Sequence, residues 1–288
     1  MDNFNNTISY NLKFSLVVAT KNRVVELEQF LESLVKQLYR NFEIIIVDQN
    51  EDGRLLDVVA KYGKQLNILH LRSETGISKA RNVGLQKMSG DIVAFPDDDC
   101  LYPNDLLKQL NKLFSEHSNY SGISGSLTED INLPIKESTA VINKKNIWET
   151  VKSATVFLRK DVITKTGLFD ENLGVGSGTG LGAGEETDYL LRVINNGFSI
   201  VHITAIKIIH PPIITNYNQW AKVFSYTKGS SYVFRKHKFP IYIFLYQIIR
   251  PLIGIFLFGL LLQKSRVKYY YYSLKGKLSG YFTQLIHE

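Results

Sequence analysis

A single cysteine, Cys100, is present in the 288 residues, so the chain cannot close a disulfide on itself and fits a reducing compartment. The first residues, MDNFNNTISYNLKF, lack a basic stretch followed by an apolar one. No secretory leader is expected there, and the sequons at Asn5 and Asn119 carry no implication. Acid is scarce at the other end. Residues 221–288 hold eleven Lys and Arg against one acid, Glu288, whereas the first 220 residues are slightly acidic. The formal charge of +7 therefore belongs to the tail. Basicity placed there points to an anionic surface near the C-terminus rather than to binding along the whole chain. No glycine follows the first apolar run, and the later glycines form no G-x-G-x-x-G after a short strand. These absences exclude a Rossmann oxidoreductase and count against a sugar-nucleotide-making nucleotidyltransferase.

The chain does contain a series of short apolar runs separated by helical patterns. Phe14–Ala19, Glu43–Val47, Asn67–Leu71 and Ile92–Phe95 read as buried strands. Between them, helical spacing covers Val24–Leu38, Arg54–Tyr62 and the stretch from Ser78, as cap, to about Met88. This alternation predicts an α/β fold with a doubly wound, mostly parallel sheet. Further strands are expected at Ile123–Leu127, Ala154–Leu158, Ser199–Ile203 and Ile206–Ile209, and helices after Pro103, at Lys160–Thr166 and at Tyr189–Asn195. Residues 129–150 are poorly patterned and read as a connecting excursion. Residues 174–184 hold six glycines, too permissive a segment to keep one shape unaided.

The fourth strand runs into Pro96, which ends its ladder, and then into Asp97-Asp98-Asp99. Three adjacent carboxylates repel one another unless a cation joins them. At the carboxyl end of a strand in an open α/β sheet, where ligands bind, a divalent metal with a phosphorylated ligand explains them better than a solvated acidic turn does. Thr20-Lys21-Asn22-Arg23 follows the first strand and Asp48 the second. Lys79 and Arg81 lie near a helix N-terminus, where they and the helix dipole can balance phosphate. The acids call for a hard cation, Mn²⁺ or Mg²⁺.

Past residue 216 an aromatic, basic helix, roughly Trp220–His237, precedes the 22-residue apolar run Ile241–Leu262. That run is long enough to cross a bilayer. Arg250 near its centre would cost at least ~2.5 kcal/mol in that setting. With Pro251 as a kink and Arg235, Lys236, Lys238, Lys264, Arg266 and Lys268 as flanks, attachment at the membrane surface is the expected use. Nucleic-acid binding is not expected, because the tail's aromatics accompany a long apolar run.

Taken in order, FSLVVATKNR, EIIIVDQNEDG, GISKARNVGLQKMSGDIVAFPDDDC, GLFDENLG and GEETDYLLRVINNG resemble a family 2 glycosyltransferase with a GT-A nucleotide-sugar domain, over about residues 14–210. The resemblance implies a GT-A domain at 1–215, its nucleotide half at 14–100 and its acceptor half at 101–215; residues 216–288, beyond it, read from their own pattern as a helical, membrane-leaning extension. It implies a sugar nucleotide as donor, a UDP-sugar foremost, and a glycan or lipid-linked acceptor at the cytoplasmic face of a membrane. The product would be a bacterial cell-surface polysaccharide. By the same likeness Thr20, Asn22 and Arg23 form the first nucleotide loop, Asp48 recognises the base, and Lys79 and Arg81 face phosphate. Asp97 lies near the ribose, with Asp98 beside it, and Asp99 holds the metal. His210 corresponds to a late histidine that ligates metal in some relatives. The acceptor-activating acid of the family lies in a Glu-Asp pair opening a late helix. The pair here is Glu185-Glu186, so Glu185, Glu186 and Asp188 all stay candidates, Glu186 first. One base and no nucleophile imply a single displacement with inversion. An inactive sugar-binding relative is the non-enzymatic alternative, against which the retained acids argue.

Overall fold

A computed structural model describes residues 11–212 and 215–285; the Asn5 sequon and the N-terminal segment before residue 11 lie outside it. The elements run β1 (Phe14–Thr20), α1 (Val25–Val35), β2 (Phe42–Asp48), α2 (Leu56–Tyr62), β3 (Ile68–Arg72), α3 (Ile77–Leu85) and β4 (Ile92–Ala94). They continue with α4 (Leu106–Glu116), β5 (Gly122–Thr128), β6 (Thr139–Val141), α5 (Ile147–Thr150), β7 (Val156–Arg159), α6 (Lys160–Thr166), α7 (Glu185–Asn195) and β8 (Ile200–Ile209). Three helices close the chain: α8 (Trp220–Lys236), α9 (Ile241–Leu260) and α10 (Lys264–Phe282).

The chain divides into two compact units. Residues 11–74, 80–168 and 192–212 form the first; residues 75–79, 169–191 and 215–285 form the second. The first holds one eight-stranded sheet in the order β3-β2-β1-β4-β7-β5-β8-β6. Pairs β1–β2, β1–β4, β2–β3 and β5–β8 are parallel, while β7 runs antiparallel to both β4 and β5, and β6 to β8. The apolar runs become central strands because both faces are covered. Leu16, Val18, Ile44 and Ile46 pack with Leu27, Phe30 and Leu34 of α1 and with Leu107, Leu110 and Phe114 of α4. On the other face, Val17 meets α3 at Gly84, where an added Cβ would come within 2.3 Å of the valine.

Several boundaries differ from the sequence reading for local reasons. Ser78 lies inside α3 rather than capping it, and its hydroxyl donates to the Leu173 carbonyl at 2.7 Å. Ser199–Ile203 and Ile206–Ile209 are one strand whose pairing with β5 slips between Ser124 and Ser126, so the polar Thr204 marks a bulge instead of a break. The supposed excursion at 129–150 carries β6 and α5.

In the second unit, α10 packs along α8 and α9. The α8 contact is close because Gly276 and Gly280 present no side chain. An added Cβ at Gly280 would sit 2.0 Å from the Lys228 carbonyl oxygen, and one at Gly276 2.5 Å from that of Phe224. The glycine-rich segment is held by α8 and by hydrogen bonds of its own. Gly182 N–H donates to the Ser225 carbonyl at 3.1 Å, Gly174 N–H to that of Leu181 at 2.8 Å, and the Thr179 hydroxyl to that of Asn172 at 2.6 Å. Gly174 has φ +96°, a conformation that a side chain would strain.

Candidate active site

The sheet sets the site because the parallel strands end together. Thr20 closes β1 in register with Asp48, which closes β2 and pairs with Arg72 at the end of β3. The acidic triplet follows β4 directly. His210 comes just after β8, more than a hundred residues away, yet a backbone pair fixes it beside the triplet. Leu101 N–H donates to the Ile209 carbonyl at 2.8 Å, and Ile209 N–H to that of Leu101 at 3.0 Å.

Within this frame, ligand atoms of Asp97, Asp99 and His210 all lie within 4.8 Å of one another. Asp99 Oδ1 is buried, has no hydrogen-bond partner, and sits 3.4 Å from His210 Nε2. An acceptor left in that state costs on the order of 1–3 kcal/mol unless something joins it. His210 Nδ1 contacts the Pro211 carbonyl oxygen at 2.7 Å, which directs Nε2 toward the acids. Two carboxylates and an imidazole suit Mn²⁺ or Mg²⁺, the imidazole favouring Mn²⁺. The residues present fit a divalent ion.

Cationic side chains surround the triplet. Arg23 Nη1 lies 2.7 Å from Asp98 Oδ1 and 2.5 Å from Asp99 Oδ2. Burial pushes the Asp98 carboxyl above its usual range, with the Thr20 hydroxyl and Arg23 pulling the other way. Arg81 is buried, hydrogen-bonds the Ser153 hydroxyl and places Nη2 3.9 Å from Asp97 Oδ1. Cys100 is also buried, and its thiol donates to the Asp97 carbonyl at 3.0 Å. That burial holds the thiol well above its normal pKa and disfavours the thiolate.

Asp48 is fully buried and well occupied. Its Oδ1 accepts from the Asn50 N–H and side-chain amide at 2.8 and 2.7 Å, while Oδ2 lies 3.2 Å from His70 Nε2 and 3.1 Å from Arg72 Nη1. Asn22 has φ +61°; its N–H donates to Asn50 Oδ1 and its side-chain oxygen accepts from Arg54. Arg72, His70 and Arg54 were not singled out from sequence. Arg72 ends a parallel strand, so the rule that found Asp48 would have found it.

The remaining candidates belong to the second unit. Lys79 is half-buried in the first turn of α3. Glu185 is buried, Glu186 is partly exposed, and Asp188 is fully buried. Asp188 Oδ1 lies 2.8 Å from His237 Nε2 and 3.0 Å from Lys236 Nζ, and the same ammonium lies 2.7 Å from Asp170. The sequence marked Lys236 only as a basic flank of the apolar run and His237 only as a helix end; neither was expected beside Asp188.

The sequence profile described as "Glycosyl transferase family 2" matches residues 15–154. The chain carries a family 2 glycosyltransferase domain. This domain is 34% identical over 111 residues to the poly(ribitol-phosphate) beta-N-acetylglucosaminyltransferase TarS of Staphylococcus aureus, covering 37% of this chain and 19% of TarS. A glycosyltransferase of Haemophilus influenzae is 28% identical over 190 residues, 62% of this chain and 61% of that protein. The chain thus spans between about a fifth and three fifths of the curated relatives it matches. Among solved structures, the mannosyltransferase PcManGT of Pyrobaculum calidifontis, in complex with GDP-Man and Mn²⁺, has a TM-score of 0.64 at 14% identity, covering 95% of this chain and 88% of that one. S. aureus TarS 1–349 has a TM-score of 0.60 at 18% identity, covering 93% and 91%. These likenesses establish the GT-A-type fold around the family 2 domain.

Proposed function

We propose that the protein transfers a sugar, with inversion, from a nucleoside-diphosphate donor to a hydroxyl of a glycan or lipid-linked acceptor in cell-surface polysaccharide synthesis. The observation that carries this reading is the Asp97–Asp99–His210 group with its unsatisfied Asp99 oxygen. Asp97, Asp99 and His210 would hold a divalent ion, which would supply Lewis-acid charge to the departing diphosphate. Arg81, beside Asp97, and Lys79 add positive charge on the phosphate side. Thr20, Asn22 and Arg23 border the nucleotide, and Asp98 stays with Arg23 to shape that border. Asp48, already held by Asn50, His70 and Arg72, orients this wall for the base. Glu186 takes the acceptor hydroxyl proton, for Asp188 is committed to Lys236 and His237. With one base and no nucleophile assigned among the described residues, displacement in this reading is direct, with inversion at the anomeric centre.

The likeness to TarS, whose 1–349 fragment is known in complex with UDP-GlcNAc, supports a UDP-sugar donor, and the likeness to TarS and to the minor teichoic acid biosynthesis protein GgaB of Bacillus subtilis (26% identical over 220 residues) supports a phosphate-linked wall polymer as acceptor class. Residues 1–215 would form the transferase domain and 216–288 its membrane-facing extension. In α9, Tyr242, Leu245, Tyr246, Ile249, Ile253, Phe256 and Leu260 are exposed at helical spacing, Tyr246 at 76% and Phe256 at 71%. The opposite side buries Phe244, Pro251 and Gly254. An apolar stripe on one side suits a helix lying in the cytoplasmic membrane surface better than one surrounded by lipid.

A panel of sugar nucleotides, scored for Mn²⁺-dependent diphosphate release by the wild type and by Asp99→Ala, tests the reading. Release by the wild type alone is expected; equal release by both would overturn it.

A further inference from the structure

Helices α8, α9 and α10 enclose a cavity of about 710 Å³, within the size range of small-molecule sites. Tyr246, Gln247, Arg250, Tyr269, Tyr270 and Lys277 line it. Two of these are cations, and the three helices offer them no counter-charge of their own: residues 215–285 contain no Asp or Glu. Among the described residues Arg250 and Lys277 have no carboxylate partner; Lys277 Nζ instead donates to Gln247 Oε1 at 2.8 Å. Burial and the neighbouring Arg250 bring the Lys277 ammonium down to a pKa of about 8. Like charges held together in a partly desolvated cavity are unfavourable unless an anion joins them. The arginine fork and the lysine suit a phosphate group.

The surroundings identify the carrier of that phosphate. Tyr246 and Ile249 line this cavity and also a second hollow of about 510 Å³, whose other walls are Tyr242, Ile243 and Leu245. A charged cavity that opens onto an apolar helix face, on the stripe already read as membrane-facing, matches the two halves of an amphiphile. We infer that the cavity between α8, α9 and α10 binds the phosphate headgroup of an anionic lipid through Arg250 and Lys277, with the lipid chain along Tyr246 and Ile249. The inference rests on the membrane-facing reading of α9 and extends it from general adhesion to a defined headgroup site. Basic pockets between helices at the cytoplasmic surface are the usual setting for such recognition.

The test uses the full chain and three probes: phosphatidylcholine vesicles with one part in five dioleoyl phosphatidic acid, phosphatidylcholine vesicles alone, and monomeric dihexanoyl phosphatidic acid followed by phosphorus NMR. Wild type should prefer the phosphatidic acid vesicles by about thirtyfold, taking each of the two cations at its usual worth near an anionic surface. The double variant Arg250→Gln/Lys277→Gln should lose that preference and keep its binding to phosphatidylcholine. Arg250→Gln alone, at an exposed position that does not threaten folding, should lose about half of it on a logarithmic scale. Lys222→Gln/Lys275→Gln removes the same charge at two exposed positions outside the cavity and outside the basic flanks of α9, and should retain most of it. An unchanged preference in the cavity variant, or equal loss in the control, overturns the site. Dihexanoyl phosphatidic acid should bind saturably and resist displacement by inorganic phosphate; ready displacement would make this a free-anion site and refute the lipid. Equal affinity of wild type for both vesicles refutes the cavity but spares the membrane reading. Binding to neither vesicle removes the membrane reading, and the short-chain titration then decides the cavity by itself.

Discussion

Replacing Asp188 with asparagine tests how the first turn of α7 is anchored. The carboxylate is fully buried, and the Lys236 and His237 side chains facing it are 17% and 6% exposed. Removing one partner of a buried ion pair typically costs about 3–5 kcal/mol, because the other charge stays behind uncompensated. Lys236 keeps Asp170 at 2.7 Å, so the lower end applies, about 3 kcal/mol. For a domain of this size that corresponds to a fall in Tm of roughly 6–12 °C. Thermal and denaturant unfolding of wild type, Asp188→Asn, Lys236→Met and the double variant would give both the loss and the coupling between the two residues. Burial lowers the Lys236 pKa, but Asp188 and Asp170 outweigh it, and the net shift is upward from 10.5. A raised lysine stabilises the fold fully below its unfolded pKa and loses that contribution as pH rises through the folded value. The gap between wild type and variant should therefore persist to about pH 10 and narrow only in stronger alkali. A loss under about 1 kcal/mol, the range of exposed pairs, would refute the claim that this cluster holds α7.

Three further outcomes are expected. Asp99→Ala should weaken Mn²⁺ binding, measured by calorimetry without donor, by about tenfold or more; unchanged affinity would mean the ion does not use that oxygen. Glu186→Gln should lower kcat by about 10²–10⁴-fold while the donor KM changes little, and a Glu185→Gln variant that behaves worse would move the base by one residue. Gly280→Leu should destabilise the chain by about 3 kcal/mol in chemical unfolding, since its Cβ would meet the Lys228 carbonyl and backbone cannot step aside as a side chain can. A neutral effect would mean that α8 and α10 slide past each other easily.

The parts of the fold that were legible from sequence are those whose signal is local. β1, β2 and β4 are buried on both faces, so composition alone marks them. β6 was missed because Thr139, Ala140 and Val141 are all exposed at the sheet edge, where no apolar alternation is needed. Its pairing with β8 comes from backbone hydrogen bonds to a strand sixty residues later, which no window reveals. The same holds for side chains. Asp97, Asp98 and Asp99 stand out because like charges adjoin in sequence. The clamp on Asp48 brings in His70 and Arg72 across strands, and the clamp on Asp188 brings in Lys236 and His237 across some fifty residues.

The two backbone hydrogen bonds between Leu101 and Ile209 reach past the present reaction. They belong to the main chain, so the distance between the acidic turn and the residue at 210 does not depend on which side chains stand there. Exchanging His210 for aspartate or asparagine would thus leave the scaffold in place and alter only the hardness of the donor set. If the proposed site holds its ion, ion preference would be set by a single side chain on a fixed mount, and chain length and sheet order would not need to change for it to drift.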